Sequence, residues 1–254
     1  MKRLSFILSI IGILVSGLPW AGHCKTVVFF IGGWKMTHEQ MESFSKSVPE
    51  SRKVKYFLPE ELSELVRPWH CADRTYDYMM NNNLSDEDLI LVSFSYGGIV
   101  AQWLLKHHPE LHVKKLILVG SPIGGYIFVP PNNFFSNRFP KDLPIYVIAG
   151  NKGRHAWYLR DENDGVADLK SVLDIPEQNL KGAAIFYADH TELEEMPEVQ
   201  NQISKWLDLR QEPSQYFMAA NNARLSVSAD NRFLPVLPKL LTDDYPENKG
   251  MNPQ

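Results

Sequence analysis

Residues 88–107 read DLILVSFSYGGIVAQWLLKH, an apolar run followed by a serine among small residues and then by a second apolar segment. The run from Asp88 to Phe94 is apolar at almost every position, which is typical of a strand buried on both faces of a sheet. Two glycines, Gly97 and Gly98, interrupt the pattern, and the spacing of the stretch Ile99 to His107 is helical. The sequence therefore predicts a buried strand, a tight turn around Ser95 and a helix.

Similar apolar runs recur along the chain. The sequence predicts further strands over residues 26–31, 53–58, 113–120, 143–150 and 183–188, and further helices over 38–47, 69–80 and 198–209. Continuous apolar strands that alternate with helices predict an α/β protein with a mostly parallel sheet and helices on both faces. In such sheets the functional loops follow the carboxyl ends of the strands, so the chemistry is expected there.

The composition excludes several classes of protein. The 254 residues are 44% hydrophobic, enough for a core of one ordinary domain. Lysine and arginine number 26 against 30 acidic residues, so the net charge of -4 predicts no nucleic-acid partner. Two cysteines are too few for a zinc ribbon or a small disulfide scaffold.

Residues 1–22 have the layout of a secretory signal peptide. Lys2 and Arg3 are positive, an apolar run extends from Leu4 to Leu18, and small residues follow Pro19. The run is shorter than the roughly 20 residues of a typical membrane span. An uncleaved anchor and a buried core helix are the alternatives. A signal peptide predicts a secreted or periplasmic domain.

An oxidising compartment makes a disulfide between Cys24 and Cys71 a candidate. The alternative is two unpaired cysteines, which follows at once if cleavage removes Cys24.

Ser95 is the candidate nucleophile. The motif Ser93-Phe94-Ser95-Tyr96-Gly97 resembles the G-x-S-x-G nucleophile elbow, in which a strand turns sharply into a helix. Ser93 stands where the first glycine is usual, a departure that adds a small side chain. The Tyr96 amide, directly after the serine, is the first candidate donor of an oxyanion hole. A serine in an ordinary loop or helix cap is the alternative.

A serine nucleophile needs a base and an orienting acid. His190 follows the last predicted strand, which is where the chain order serine, acid, histidine puts the base. After the strand over 143–150, Asp161 and Asp164 are candidate acids, and the Asp164-Gly165 turn favours Asp164. A calcium loop at this acidic patch fails on spacing, because Gly165 comes one place too early. The sequence predicts no metal site and no cofactor.

The loop after the first strand, Gly32-Gly33-Trp34, can supply the second oxyanion donor through the Trp34 amide. With these four signals in order, residues 26–209 resemble the α/β-hydrolase superfamily, in its small lipase, esterase and thioesterase branches. Gly32 departs from the His-Gly pattern that is commoner there. The resemblance implies a Ser-His-Asp acyl-transfer mechanism with an acyl-enzyme on Ser95.

The segment 121–142 is too short for a large lid and predicts a short cap. Its aromatic side chains are candidates for an apolar rim that contacts the substrate. The alternative is that they only pack the loop against the domain. The predicted substrate-binding residues are Tyr126, Phe128, Phe134 and Phe135. Residues 210–254 are a tail, partly docked or loose.

The functional prediction is a hydrolase of a carboxylic ester or thioester, with a small-molecule or lipid ester as partner. Contact with a membrane is expected only if residues 1–22 remain or the substrate is a lipid. An acyltransferase with the same triad and a non-catalytic binding protein on this scaffold are the rivals, since fold alone fixes no chemistry.

Overall fold

The parallel sheet and its helices form in the order that the apolar runs predict. The computed structural model describes residues 26–60, 67–125, 139–153, 159, 162–207 and 217–218. Its strands are β1 (Val27–Ile31), β2 (Lys53–Tyr56), β3 (Leu89–Phe94), β4 (Val113–Val119), β5 (Ile145–Gly150), β6 (Leu180–Phe186) and β7 (Phe217–Met218). Its helices are α1 (His38–Phe44), α2 (Pro68–Asn81), α3 (Tyr96–His107), α4 (Leu169–Val172), α5 (Glu192–Glu195) and α6 (Pro197–Leu207), with a 3-10 turn at Glu50–Arg52.

All the strand pairs are parallel, and the strand order is β2-β1-β3-β4-β5-β6-β7. The chain runs from β1 outward to β2 and then crosses back to β3 on the other side of β1. Such a reversal opens a crevice beyond the carboxyl ends of the two strands that flank it, here β1 and β3. The register pairs Ile31 with Ser93, so both strands end at the same level beside this crevice.

The sheet has an apolar core on each face, because alternate residues of each strand point to opposite sides. On one face Phe29 and Leu91 pack in a cluster with residues of α2, α3 and α4. On the other face Phe30 and Val92 pack with residues of α1, α5 and α6. The prediction of an α/β fold with helices on both faces of a parallel sheet is confirmed.

Several boundaries differ from the prediction for local reasons. Strand β6 begins at Leu180 rather than residue 183, because Leu180 and Gly182 pair with β5 despite the poor strand propensity of glycine, with a register shift at Lys181. The sheet continues for one further strand, since Phe217 and Met218 pair with β6. Helices α4 and α5 have four residues each, too few for a periodic pattern to reveal.

Some predicted features lie outside the described residues: the segment 1–22, Cys24 and most of the tail. The proposed bridge to Cys71, which is buried in α2, therefore stays a prediction, as do the domain limits. Among the residues that the structure describes, no helix has the length and apolar character to span a membrane.

Candidate active site

Ser95 occupies a strained turn between β3 and α3. Its backbone has φ 51° and ψ −123°, in a region that residues other than glycine rarely adopt. Such a conformation costs on the order of 1–3 kcal/mol and is typical of functional sites. The turn is held because the Ser95 amide donates to the Val119 carbonyl at 2.8 Å while α3 starts at the next residue. Ser95 is thereby held beyond the sheet edge and stays half-exposed.

The turn at Ser95 packs directly on residues 32–36, here called the glycine loop. A Cβ atom at Gly97 would lie 2.5 Å from the carbonyl oxygens of Ile31 and Gly32, so this close approach requires a glycine. A Cβ atom at Gly33 would lie 3.3 Å from the Ser95 Cβ. The glycine loop, which carries Trp34, is therefore in contact with the serine.

His190 joins the serine to an acid. Its Nε2 lies 2.8 Å from Ser95 Oγ, and its Nδ1 lies 2.7 Å from Asp164 Oδ2. A carboxylate can only accept hydrogen bonds, so Nδ1 carries the proton and Nε2 accepts from the serine hydroxyl. The imidazole is 8% exposed and the aspartate 1%. This arrangement can remove a proton from Ser95 and stabilise the imidazolium that results.

The loop before α4 fixes the Asp164 carboxylate. Its second oxygen, Oδ1, accepts from the amides of Val166 at 3.0 Å and Ala167 at 2.7 Å. Its backbone carbonyl accepts from the His190 amide at 2.8 Å, so the acid and the histidine are joined through the main chain as well. The neighbouring Asn163 is fully buried, and its side chain accepts from Gly165 N at 2.8 Å. The acid is thus held by the backbone rather than by flexible side chains.

Residues 188–195, here called the histidine turn, hold the base through two reciprocal hydrogen bonds. The Asp189 amide donates to Glu192 Oε2 at 2.9 Å, and the Glu192 amide donates to Asp189 Oδ1 at 3.0 Å. Burial would raise the pKa of Asp189, but hydrogen bonds from Glu192 and Thr191 outweigh it and lower that pKa. His190 lies between Asp189 and Glu192, so this pair of hydrogen bonds restricts its backbone.

Solved structures share this architecture. The product of the gene lin2722 of Listeria innocua aligns at a TM-score of 0.56 and 14% identity, over 76% of this chain and 98% of the other. The mature lipase BlEst2 of Bacillus licheniformis aligns at a TM-score of 0.53 and 16% identity, over 75% of this chain and 94% of the lipase. No family model matches the chain, and no curated protein matches it in sequence. At such identities the likeness shows the fold alone.

The chain has the α/β-hydrolase fold.

Within this α/β-hydrolase fold the structure brings Ser95, Asp164 and His190 into one hydrogen-bonded chain. Gly33, which precedes Trp34, approaches this serine, and Tyr96 directly follows it as the first residue of α3; the role of the Trp34 and Tyr96 amides stays a prediction. Ser93, where the motif departs from glycine, is completely buried within β3, and its hydroxyl has no hydrogen-bond partner among the described residues. The aromatic rim candidates all lie outside the described residues: Tyr126, Phe128, Phe134 and Phe135. In the described part of the chain, no group of His, Cys, Asp and Glu could hold a metal ion.

Two further polar side chains, Glu194 on the histidine turn and Gln40 of α1, contact each other without a sequence signal that pairs them. Glu194 is buried, and burial raises its pKa to about 7. Gln40 of α1 donates to the Glu194 carboxylate. The pattern Thr37-x-x-Gln40 is a capping-box signal that could have placed Gln40 at the start of a helix, but no local signal reveals its partner.

Proposed function

We propose that this protein is a serine hydrolase that cleaves a carboxylic ester or thioester. The observation that supports it is one imidazole in contact with a serine hydroxyl at 2.8 Å and a buried carboxylate at 2.7 Å. Serine is a weak nucleophile at neutral pH, and a base held by an acid is the common way to activate it.

In the first half-reaction Ser95 Oγ attacks the acyl carbon while His190 Nε2 takes the hydroxyl proton. Asp164 stabilises the imidazolium, and the amides of Trp34 and Tyr96 stabilise the negative charge on the carbonyl oxygen. Tyr96 begins α3, a twelve-residue helix whose N-terminal partial positive charge acts in the same direction.

The tetrahedral intermediate then collapses to an ester on Ser95, and His190 returns the proton to the departing alcohol or thiol. In the second half-reaction a water molecule gives a proton to His190 and attacks the Ser95 ester. Collapse of the second intermediate releases the carboxylic acid and restores the serine hydroxyl. Each proton that His190 takes is given back, so the enzyme is unchanged after one cycle.

The test is hydrolysis of p-nitrophenyl esters of increasing acyl length by the wild-type protein and by Ser95→Ala. Turnover by the wild type that the variant lacks supports the proposal, and a preference for longer chains supports a hydrophobic acyl group. A folded wild-type protein that turns over none of these esters, nor a matching thioester panel, contradicts the proposal.

Two rival functions can be told apart from hydrolysis: an acyltransferase differs in the second half-reaction, and a binding protein catalyses no reaction. An acyltransferase would form a new ester when an acceptor alcohol is added, at the expense of the free acid. A binding protein would keep its full function in Ser95→Ala.

We further propose that the folded domain works outside the cytosol, as a secreted or periplasmic protein. The support is the charge and apolar pattern of residues 1–22. The intact mass of the protein from its native host tests both this and the disulfide. Loss of the first segment is expected, and a bridge between Cys24 and Cys71 lowers the mass by two hydrogens. A full-length protein found in the cytosol would contradict the proposal.

A further inference from the structure

An acidic side chain is buried on the histidine turn, outside the hydrogen-bonded chain of Ser95, His190 and Asp164. Glu194 belongs to α5, four residues after His190, and is 2% exposed. Its Oε1 accepts a hydrogen bond of 2.5 Å from Gln40 Nε2. A buried carboxyl group requires such a partner, because burying it unpaired is strongly unfavourable. The bond joins two segments that are 154 residues apart in the chain.

Gln40 carries this contact on to the glycine loop. Its Oε1 accepts from the Thr37 amide at 2.8 Å, and its own amide donates to Thr37 Oγ1 at 3.2 Å. Thr37 directly follows the glycine loop, which is closed by a hydrogen bond of 3.3 Å from the Met36 amide to the Gly33 carbonyl. One amide side chain thus links the end of the glycine loop to the histidine turn.

We propose that Glu194 is a positioning residue that holds the histidine turn against the glycine loop through Gln40. The inference rests on the proposed function, in which these two segments supply the base His190 and the oxyanion donor Trp34. Both must keep their relation to Ser95, because a misplacement of about 1 Å can lower an enzymatic rate about 100-fold. Glu194 is not a member of the hydrogen-bonded chain of Ser95, His190 and Asp164, so it acts through the segments that it joins.

The charge of Glu194 gives the link a pH dependence. Burial raises the pKa of Glu194 to about 7. The hydrogen bond from Gln40 and the charge of His190 lower this pKa, but their effect is smaller than that of burial. Among the described residues, the charged groups that act on this carboxyl are His190 and Glu195, both on the histidine turn; α1 contributes the neutral Gln40, and α6 adds none. An ionised Glu194 attracts the imidazolium that forms as Ser95 loses its proton. The ionised form therefore favours the reaction.

Two substitutions separate the hydrogen bond from the charge. Glu194→Leu removes both, and we expect kcat to fall about 10-fold across the pH range, equivalent to about 1.4 kcal/mol, with KM within about twofold. Glu194→Gln keeps an acceptor for Gln40 but carries no charge. Its kcat should match the wild type near pH 5.5, where Glu194 is protonated, and fall several-fold above about pH 7.5, where Glu194 is ionised.

The matched control is Glu198→Gln, which removes the same charge from an exposed residue of α6, outside the histidine turn. We expect its kcat to follow the wild type at every pH. The double variant Gln40→Leu with Glu194→Leu should lose about as much kcat as Glu194→Leu alone, because both partners act in one link. The proposal is overturned if the fold-loss of kcat in the double variant equals the product of the fold-losses in Gln40→Leu and in Glu194→Leu.

Hydrogen exchange measures the link without any turnover. In Glu194→Leu the peptide covering residues 32–37 should exchange several-fold faster than in the wild type, whereas Glu198→Gln should leave it unchanged. If the wild-type protein neither hydrolyses esters nor reacts with a fluorophosphonate, the proposed function fails, and the link is judged by exchange alone. Unchanged exchange in Glu194→Leu overturns the link. In an active protein, a ratio of wild-type to Glu194→Gln kcat that does not vary with pH overturns it too.

Discussion

Replacing Gly97 with alanine tests how closely the serine turn must approach the glycine loop. The new Cβ atom would lie 2.5 Å from the carbonyl oxygens of Ile31 and Gly32, whereas ordinary contact begins near 3.4 Å. The backbone must therefore separate by about 0.9 Å, the difference between these two distances. Since those oxygens belong to the main chain, no rotamer change can relieve the clash.

A separation of nearly 1 Å moves the glycine loop away from Ser95 and from the carbonyl oxygen of a bound substrate. We expect kcat/KM to fall on the order of 100-fold and the protein to lose about 1–3 kcal/mol of stability. The assay is p-nitrophenyl ester hydrolysis, with thermal unfolding to confirm that the variant is folded.

The control is Gly98→Ala, where the new Cβ would lie 2.3 Å from Ser121 Oγ, an atom of a side chain. Adding Ser121→Gly should relieve that clash and restore most of the activity. The reasoning is refuted if Gly97→Ala is folded and keeps kcat/KM within about twofold of the wild type, since a 1 Å displacement should cost far more.

Three further expectations concern the acid, the buried glutamate and the helix cap. Asp164→Asn should lower kcat by about 10³-fold or more with little change in Tm, because an amide favours the wrong tautomer of His190; a loss under tenfold would contradict this. Glu194→Gln should unfold at a higher temperature than the wild type above pH 7, and the difference should vanish near pH 4.5. Burial raises the pKa of Glu194 to about 7, so the unfolded chain loses the proton of Glu194 at a lower pH than the folded protein does. The wild-type protein therefore loses between about 1 and 3 kcal/mol of stability as the pH rises from 4.5 to 7. A difference in Tm between the variant and the wild type that is the same at pH 4.5 and above pH 7 would refute this. Thr37→Ala should lower the unfolding free energy by about 1 kcal/mol in urea titrations, because the first turn of α1 loses its side-chain cap; no change would contradict the assigned cap.

The sheet and the positions of Ser95, Asp164 and His190 could be predicted because each depends on local sequence. A parallel strand buried on both faces needs a continuous apolar run, so β3 and β5 are visible in the sequence without knowledge of their neighbours. The chain order of serine, acid and histidine then selects one histidine among eight.

The role of Glu194 could not be predicted, because its burial depends on packing between distant segments. The histidine turn contains three glutamates, and the sequence does not distinguish them: Glu192, Glu194 and Glu195. Only the packing of α1 on α5 buries one of them and supplies its partner from a residue 154 positions away. The same limit applies to the start of β6, where pairing with β5 outweighs the weak strand propensity of Gly182.

The most direct test of the proposed chemistry is mass spectrometry after reaction with a fluorophosphonate, which phosphonylates a serine only when its hydroxyl is activated. The wild-type protein should carry one adduct, on Ser95, and neither Ser95→Ala nor His190→Ala should carry it, although both should remain folded. A folded wild-type protein without the adduct, or an equal adduct in His190→Ala, would contradict the account of Ser95 as a nucleophile activated by His190.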